Sequence, residues 1–324
     1  MDNNRPLIAH LCVFTACVCW GLMSPLGKDA MAHGIDSISM VSLRIIGGAI
    51  LFWLASLFGP KEHVPVRDRF LFIGAGVFGL IFNQCSFTIG LGITSPVNAS
   101  IVTTSMPIFA MILAALILHE PITGKKALGV LLGCCGAVML IASSAADADG
   151  RAGNIRGDLM CVGAQLSFAL YLSLYNNMSK KYSPITVSKW MFTWAAILVL
   201  PFTAGHLAAA DWQSVGLTTG LETGFVVVFG TFVAYLLMMV GQHTLRPTVV
   251  SIYNYMQPVV AVTVSVLAGL GVFRWPQALA AMLVFAGVWL VTKSKSKRDM
   301  QLQQERIQLE QEKMDRRHRT KKRS

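Results

Sequence analysis

The chain has 324 residues, 54% of them hydrophobic and only 13% charged, with a mean hydropathy of +0.58 and a formal net charge of +11. That is more apolar side chain than a water-soluble fold of this length needs, and recurring apolar runs of about 20 residues read as membrane-spanning helices. The charge does not point to nucleic acid: the stretch from Lys293 holds twelve Lys/Arg against five Asp/Glu, a net +7, which leaves +4 for everything before it.

In chain order, the predicted spans lie near residues 7–27, 39–58, 70–92, 97–118 and 126–144, then near 158–177, 185–204, 223–243, 248–269 and 277–292. The first follows Arg5 and looks like a secretory signal, but it is the counterpart of a later span and is read as retained. Turn-forming interruptions separate the runs: Phe58-Gly59-Pro60, His119 to Gly124, and the Asp/Gly/Arg-rich Ala145 to Gly157. The expected division is a five-helix unit over 1–144, a linker over 145–157, a second five-helix unit over 158–292 and a basic tail over 293–324.

The two units echo each other. A shift of 151 positions places Pro96 on Pro247, Ser100 on Ser251, Pro107 on Pro258 and Ala110 on Ala261. The register holds without a gap from Val77 to Gly136, with fourteen identities in sixty positions. Five spans is an odd number, so the second copy enters the membrane in the opposite sense to the first. The fold class is an all-α polytopic membrane protein of ten transmembrane helices, built as an inverted repeat. Such repeats are common in secondary transporters, with the solute held near the midplane between them.

Orientation follows from Lys and Arg in the short connections. One side holds Arg5, Lys61, Arg67, Arg69, Lys125, Lys126, Lys180, Lys181 and Arg246, the other Lys28, Arg151, Arg156 and Arg274. Nine against four places both termini in the cytoplasm; the expected location is a plasma membrane, the inner membrane if it is bacterial.

A proline inside a helix removes one amide and displaces the carbonyl four residues back. Pro107 would free the Thr103 carbonyl and Pro258 that of Asn254, each near mid-span. The alternative is a kink satisfied locally by Ser and Thr. The polar residues nearby are Ser100, Thr103 and Thr104 in the fourth span and Ser251, Asn254, Tyr255 and Gln257 in the ninth. Asn83 and Gln84 join them from the third, Gln165, Ser167, Tyr171 and Tyr175 from the sixth, and Trp20 and Ser24 from the first. The substrate candidates are Asn254, Gln257, Tyr255, Thr103, Thr104, Tyr171, Tyr175, Asn83, Gln84 and Trp20, with Pro107 and Pro258 as kinks. Arg44 and Lys189 are read as lying near span ends. A midplane without Asp or Glu, lined by amides, hydroxyls and aromatic rings, suits a neutral or zwitterionic solute such as an amino acid.

The seven cysteines all fall inside apolar runs, an odd number with no zinc-ligand spacing, and read as packing residues. No cofactor or metal is expected, and no nucleophile–base spacing suggests an enzyme. Gly129, Gly133 and Gly136, echoed by Ala280 and Gly287, predict close helix packing within the chain, with a homodimer seam as the alternative. The tail is set to meet anionic lipid headgroups.

Cys19-Trp20-Gly21 with Lys28, Arg44, Pro107 followed by Glu120-Pro121, and Ala286-Gly287-Val288 after Pro258 together resemble EamA-type members of the drug/metabolite transporter superfamily. The resemblance spans about residues 8–292. It implies a ten-helix basket with cytoplasmic termini and a substrate path between the halves, as in bacterial metabolite and amino-acid exporters. The second unit departs from the pattern at Gly271, opposite Glu120, and at Asn176, which stands roughly where a basic residue matching Lys28 is often found. The expectation is export of a small metabolite, with the lipid bilayer and a small solute as partners. The alternative is a membrane scaffold or sensor acting through the tail.

Overall fold

The structure, a computed structural model, describes residues 5–117, 124–145, 153–213, 215–244, 253, 256–270 and 273–292. Glu120, most of the linker, the tail from Lys293 and the site candidates Asn254 and Tyr255 lie outside the described residues.

Every regular element among the described residues is helical. The first half holds α1 (Arg5–Ala32), α2 (Ser37–Ser56), α3 (Val66–Gly76), a π-helical segment (Val77–Phe82), α4 (Asn83–Ile93), α5 (Pro96–Thr103), α6 (Met106–Ile117) and α7 (Gly124–Ala145). The second holds α8 (Ile155–Lys181), α9 (Pro184–Ala209), α10 (Leu217–Val227), a second π-helical segment (Val228–Val233), α11 (Ala234–Thr244), α12 (Met256–Leu267) and α13 (Trp275–Thr292). Seven stretches are long and apolar enough to cross a bilayer, and three shorter apolar helices, within α7, α12 and α13, complete ten segments. The molecule is a multi-pass membrane protein.

Helix starts follow local chemistry. Asp36 Oδ1 accepts from the amides of Ile38 (2.9 Å) and Ser39 (3.0 Å) to cap α2, and Asn154 Oδ1 accepts from Arg156 N (2.9 Å) to cap α8. Ser95 and Ser183 cap α5 and α9, each followed by a proline at the first helical position, where no amide is needed.

The duplication read in the sequence extends to backbone geometry. Shifted by 151, α3 coincides with α10, the first π segment with the second and α4 with α11, residue for residue; α7 and α13 also begin 151 apart. The packing interlocks the copies. The third and fourth spans of each repeat pack on the first span of the other, α4 and α6 against α8, α11 and α12 against α1. The second spans, α2 and α9, pair across the axis, as do the fifth, α7 and α13.

Glycines set these close approaches. A Cβ on Gly79 would stand 2.9 Å from Tyr171 Cγ, and one on Gly230 would stand 2.9 Å from Met23 Cγ, so each π segment lies directly beneath the first span of the opposite repeat. The small-residue seam is intramolecular: a Cβ on Gly136 would meet Ala280 O at 2.8 Å, and one on Gly287 would meet Gly133 N at 2.7 Å. The packing expected from the glycine spacing is thus used inside the chain, between α7 and α13.

Candidate functional site

Where the two repeats meet, a cavity of about 720 Å³, counting its open mouth, is lined from six of the ten spans. The first span contributes Trp20, Met23 and Ser24, the second Arg44, and the third Asn83, Gln84 and Phe87. The fourth contributes Ser100, Thr103 and Met106, the sixth Gln165 and Phe168, and the ninth Gln257. Amides and hydroxyls supply much of the wall, aromatic rings and methionines most of the rest, and Arg44 one guanidinium.

Of the sequence candidates, Trp20, Asn83, Gln84, Thr103 and Gln257 come together here. All five already have a partner: Trp20 Nε1 donates to Gly230 O (3.1 Å), Asn83 Nδ2 to Ala164 O (2.9 Å), Gln84 Nε2 to the Tyr235 hydroxyl (3.3 Å) and Thr103 Oγ1 to Ser100 O (2.7 Å). Gln257 bonds the Cys17 thiol. Pro258 is buried one residue beyond. Thr104, Tyr171 and Tyr175 are not among the lining residues. Tyr171 is buried and packs over Gly79, with its ring stacked on Tyr175 at 6.3 Å.

The break before Pro107 combines both readings, local Ser/Thr bonding and one freed carbonyl. Between Thr103 and Met106 the helix tightens, with Thr104 N donating to Ile101 O (3.1 Å) and Ser105 N to Val102 O (3.0 Å). Thr103, Thr104 and Ser105 turn their hydroxyls back onto the carbonyls of Ser100, Ile101 and Val102, each at 2.7 Å. Ser/Thr back-bonding therefore satisfies these carbonyls. The acceptor left without an amide partner at i+4 is Thr103 O, since Pro107 has no N–H.

The largest departure concerns Arg44. The sequence places it near a span end; the structure buries it at 3% exposure, about 10 Å along α2, in the cavity wall. Its Nη1 donates to Thr88 Oγ1 (2.7 Å) in the first repeat and its Nε to Thr231 Oγ1 (3.1 Å) in the second. Thr231 is held by its own donation to Val226 O (3.0 Å) inside the π segment. Among the described residues no carboxylate lies within ion-pair distance of Arg44.

Sequence reasoning also passes over Asp158. It is fully buried at the start of α8, where Oδ1 accepts from Thr94 Oγ1 (2.6 Å) and Oδ2 from Asn98 Nδ2 (3.1 Å). Gln277 Nε2 donates to Asn98 Oδ1 (2.7 Å), so one polar cluster ties the α4–α5 corner, α8 and α13 at one end of the bundle. At that end Lys28 Nζ also donates to Gly92 O (2.6 Å). At the opposite end Lys181 Nζ meets Asp68 Oδ2 (2.5 Å), and Glu62 accepts from the Ser183 amide and hydroxyl.

Comparison with known proteins agrees with this architecture. Residues 7–142 and 155–293 each match the EamA-like transporter family. An uncharacterized transporter of Archaeoglobus fulgidus is 25% identical over 282 residues, covering 85% of this chain and 95% of its own. Transporter YyaM of Bacillus subtilis is 23% identical over 268 residues, covering 83% and 84%. An S-adenosylmethionine uptake transporter of Rickettsia bellii is 24% identical over 189 residues, covering 57% and 62%. A solved crystal structure superposes with a TM-score of 0.61 at 18% identity, over 88% of this chain and 95% of that one. The duplicated five-span fold, the cavity between the copies and the double family match lead to one conclusion: the chain belongs to the EamA-like transporter family, whose members move small solutes across membranes.

Proposed function

We propose that the protein carries a small neutral or zwitterionic solute, such as an amino acid, outward across the plasma membrane by alternating access between its two repeats. Both termini face the cytoplasm in this reading. The observation that carries it is the cavity itself, set where the first, third and fourth spans of opposite repeats interlock and lined by amides, hydroxyls and rings. Rocking one repeat against the other around a fixed midplane site would expose that cavity to each side in turn. The outward direction rests on the resemblance to bacterial exporters. One relative is named for uptake of S-adenosylmethionine, so flux is to be read in both directions.

The test is flux in proteoliposomes matched for protein amount. Losing one neutral hydrogen bond to the solute costs about 0.5–1.5 kcal/mol, roughly three- to tenfold in affinity. Gln257→Ala in the cavity wall, and Asn254→Ala three positions before it in sequence, should slow transport by that order. Thr292→Ala, at the far end of α13, should not. Parent rates for every solute in both Gln257 and Asn254 variants would remove the midplane site.

A further inference from the structure

We infer that Arg44 is the anion-binding group of the transport cavity, and that the solute it takes carries a carboxylate. This rests on the transport reading above and narrows its substrate class.

A guanidinium stays charged at any physiological pH and offers five N–H donors in a planar fork. Arg44 spends one through Nε and one through Nη1, both on neutral threonine hydroxyls. These partners come from opposite repeats, and each fixes the head group without neutralising it. Its other donors have no acceptor among the described residues, and none of the residues lining the cavity is an Asp or Glu. Burying an uncompensated cation is strongly unfavourable, so buried charges are normally paired. A residue serving only to staple α2 to Thr88 and Thr231 could do so with a neutral amide and would avoid that penalty. The missing partner is supplied most simply from the cavity, by a carboxylate that forks onto the guanidinium.

Two further features narrow the ligand. The second repeat gives the wall Gln165, Phe168 and Gln257, so the charge is not duplicated, and among the described residues Arg44 is the only charged one there. One cation suits one carboxylate better than a phosphate dianion. In the same wall, Gln84 Oε1 is buried and without a hydrogen-bond partner, while its Nε2 is held by Tyr235. An acceptor that lacks a donor, in the same wall as a donor that lacks an acceptor, is the polarity an α-amino acid satisfies with its ammonium and carboxylate.

The experiment compares flux of the twenty amino acids with that of their carboxamides, which keep the side chain and ammonium but lose the anionic oxygen, in proteoliposomes of the full chain. An acid that moves should outrun its carboxamide by about ten- to a hundredfold, the range for a hydrogen bond to a charged group. Arg44→Gln should bring the acid down to the carboxamide's rate, and Arg44→Lys should retain part of the preference. A carboxamide moving as fast as its acid in the unaltered chain overturns the inference and leaves the transport reading standing. So does a monodisperse Arg44→Gln protein that still prefers the acid. Should Arg44→Gln fail to fold, the acid-to-carboxamide ratio of the unaltered chain decides alone. Silence across the whole panel sinks the amino-acid reading and this inference together.

Discussion

Gln84 donates to the hydroxyl of Tyr235 at 3.3 Å, and the two residues stand 151 positions apart, at equivalent places in the two repeats. A residue that bonds its own repeat mate lies beside the axis relating the copies. Gln84 also lines the cavity, so the site is built around that axis rather than within either half. Tyr235 is held edge-on between Trp20 (5.7 Å, 84°) and Phe192 (5.7 Å, 82°), which fixes where its hydroxyl can reach. Identical backbone scaffolds thus present different chemistry, an amide from one copy and a phenol from the other.

That contact should register as coupling. Among the described residues, the Tyr235 hydroxyl is the hydrogen-bond partner of Gln84 Nε2. Tyr235→Phe strands a buried amide donor and should destabilise the protein by about 1–3 kcal/mol. Adding Gln84→Leu should recover much of that loss, because no polar atom is then left unpaired. Thermal unfolding in detergent of the two single variants and the double variant measures it. Strict additivity would show that the contact carries no energy.

How much of this is legible in the sequence depends on which residues carry the signal. The repeat is readable because Val77 to Gly136 keeps one ungapped register with its copy, and the glycine seam because Gly136 and Gly287 keep their places within it. The fate of the tyrosines on the sixth span is not. Tyr171 and Tyr175 share a helical face that suits a binding wall equally well, and only the glycine at position 79 of the opposite repeat draws Tyr171 into packing. Arg44 is misjudged when depth is counted along its own helix, because burial is decided by what α4 and the second π segment lay across it. Asp158 carries no local signal of burial, because its two partners, Thr94 and Asn98, sit some sixty positions upstream.

The seam between α7 and α13 predicts a sharp contrast among glycines. At Gly287 a Cβ would press on Gly133 N and on the Gly129 carbonyl, both backbone atoms that cannot rotate away. Gly287→Val should separate the fifth and tenth spans and cost well over the roughly 1–3 kcal/mol of ordinary overpacking. Gly163, in the interior of α8, has open space around its Cα, so Gly163→Ala should be neutral or stabilising by about 0.5–1 kcal/mol. Yield of monodisperse protein and its melting temperature compare the two. Equal behaviour would mean that the seam is loose.

Acid sensitivity should trace in part to Glu62, in the connection between α2 and α3. Burial pushes its carboxyl up, but hydrogen bonds from Thr186 and from the Ser183 amide and hydroxyl outweigh burial and hold it below the usual range. A folded-state value below the unfolded one contributes stability above the ordinary carboxylate range and loses it as pH falls through the lowered value. The gap in melting temperature between the parent and Glu62→Gln should therefore be open at pH 7 and close as the pH falls below the ordinary carboxylate range. A gap constant across that range would show that the charge on Glu62 contributes nothing.

The orientation proposal makes the last prediction. Direct contacts group the connections by end: Asp68 with Lys181 and Glu62 with Ser183 at one, Thr94 with Asp158 and Asn98 with Gln277 at the other. The first end gathers Lys61, Arg67, Arg69 and Lys181, while Lys28, Arg156 and Arg274 fall at the second. Lys and Arg in short connections are retained on the cytoplasmic side, so the first end, with both termini, should face inward. In a background with the seven native cysteines replaced, Asp149→Cys in the linker should react with a membrane-impermeant maleimide added outside intact cells. Gly124→Cys, at the start of α7, should react only after the membrane is opened. Labelling in the reverse pattern would turn the molecule over, and labelling of both positions from outside would break the five-span repeat on which the cavity depends.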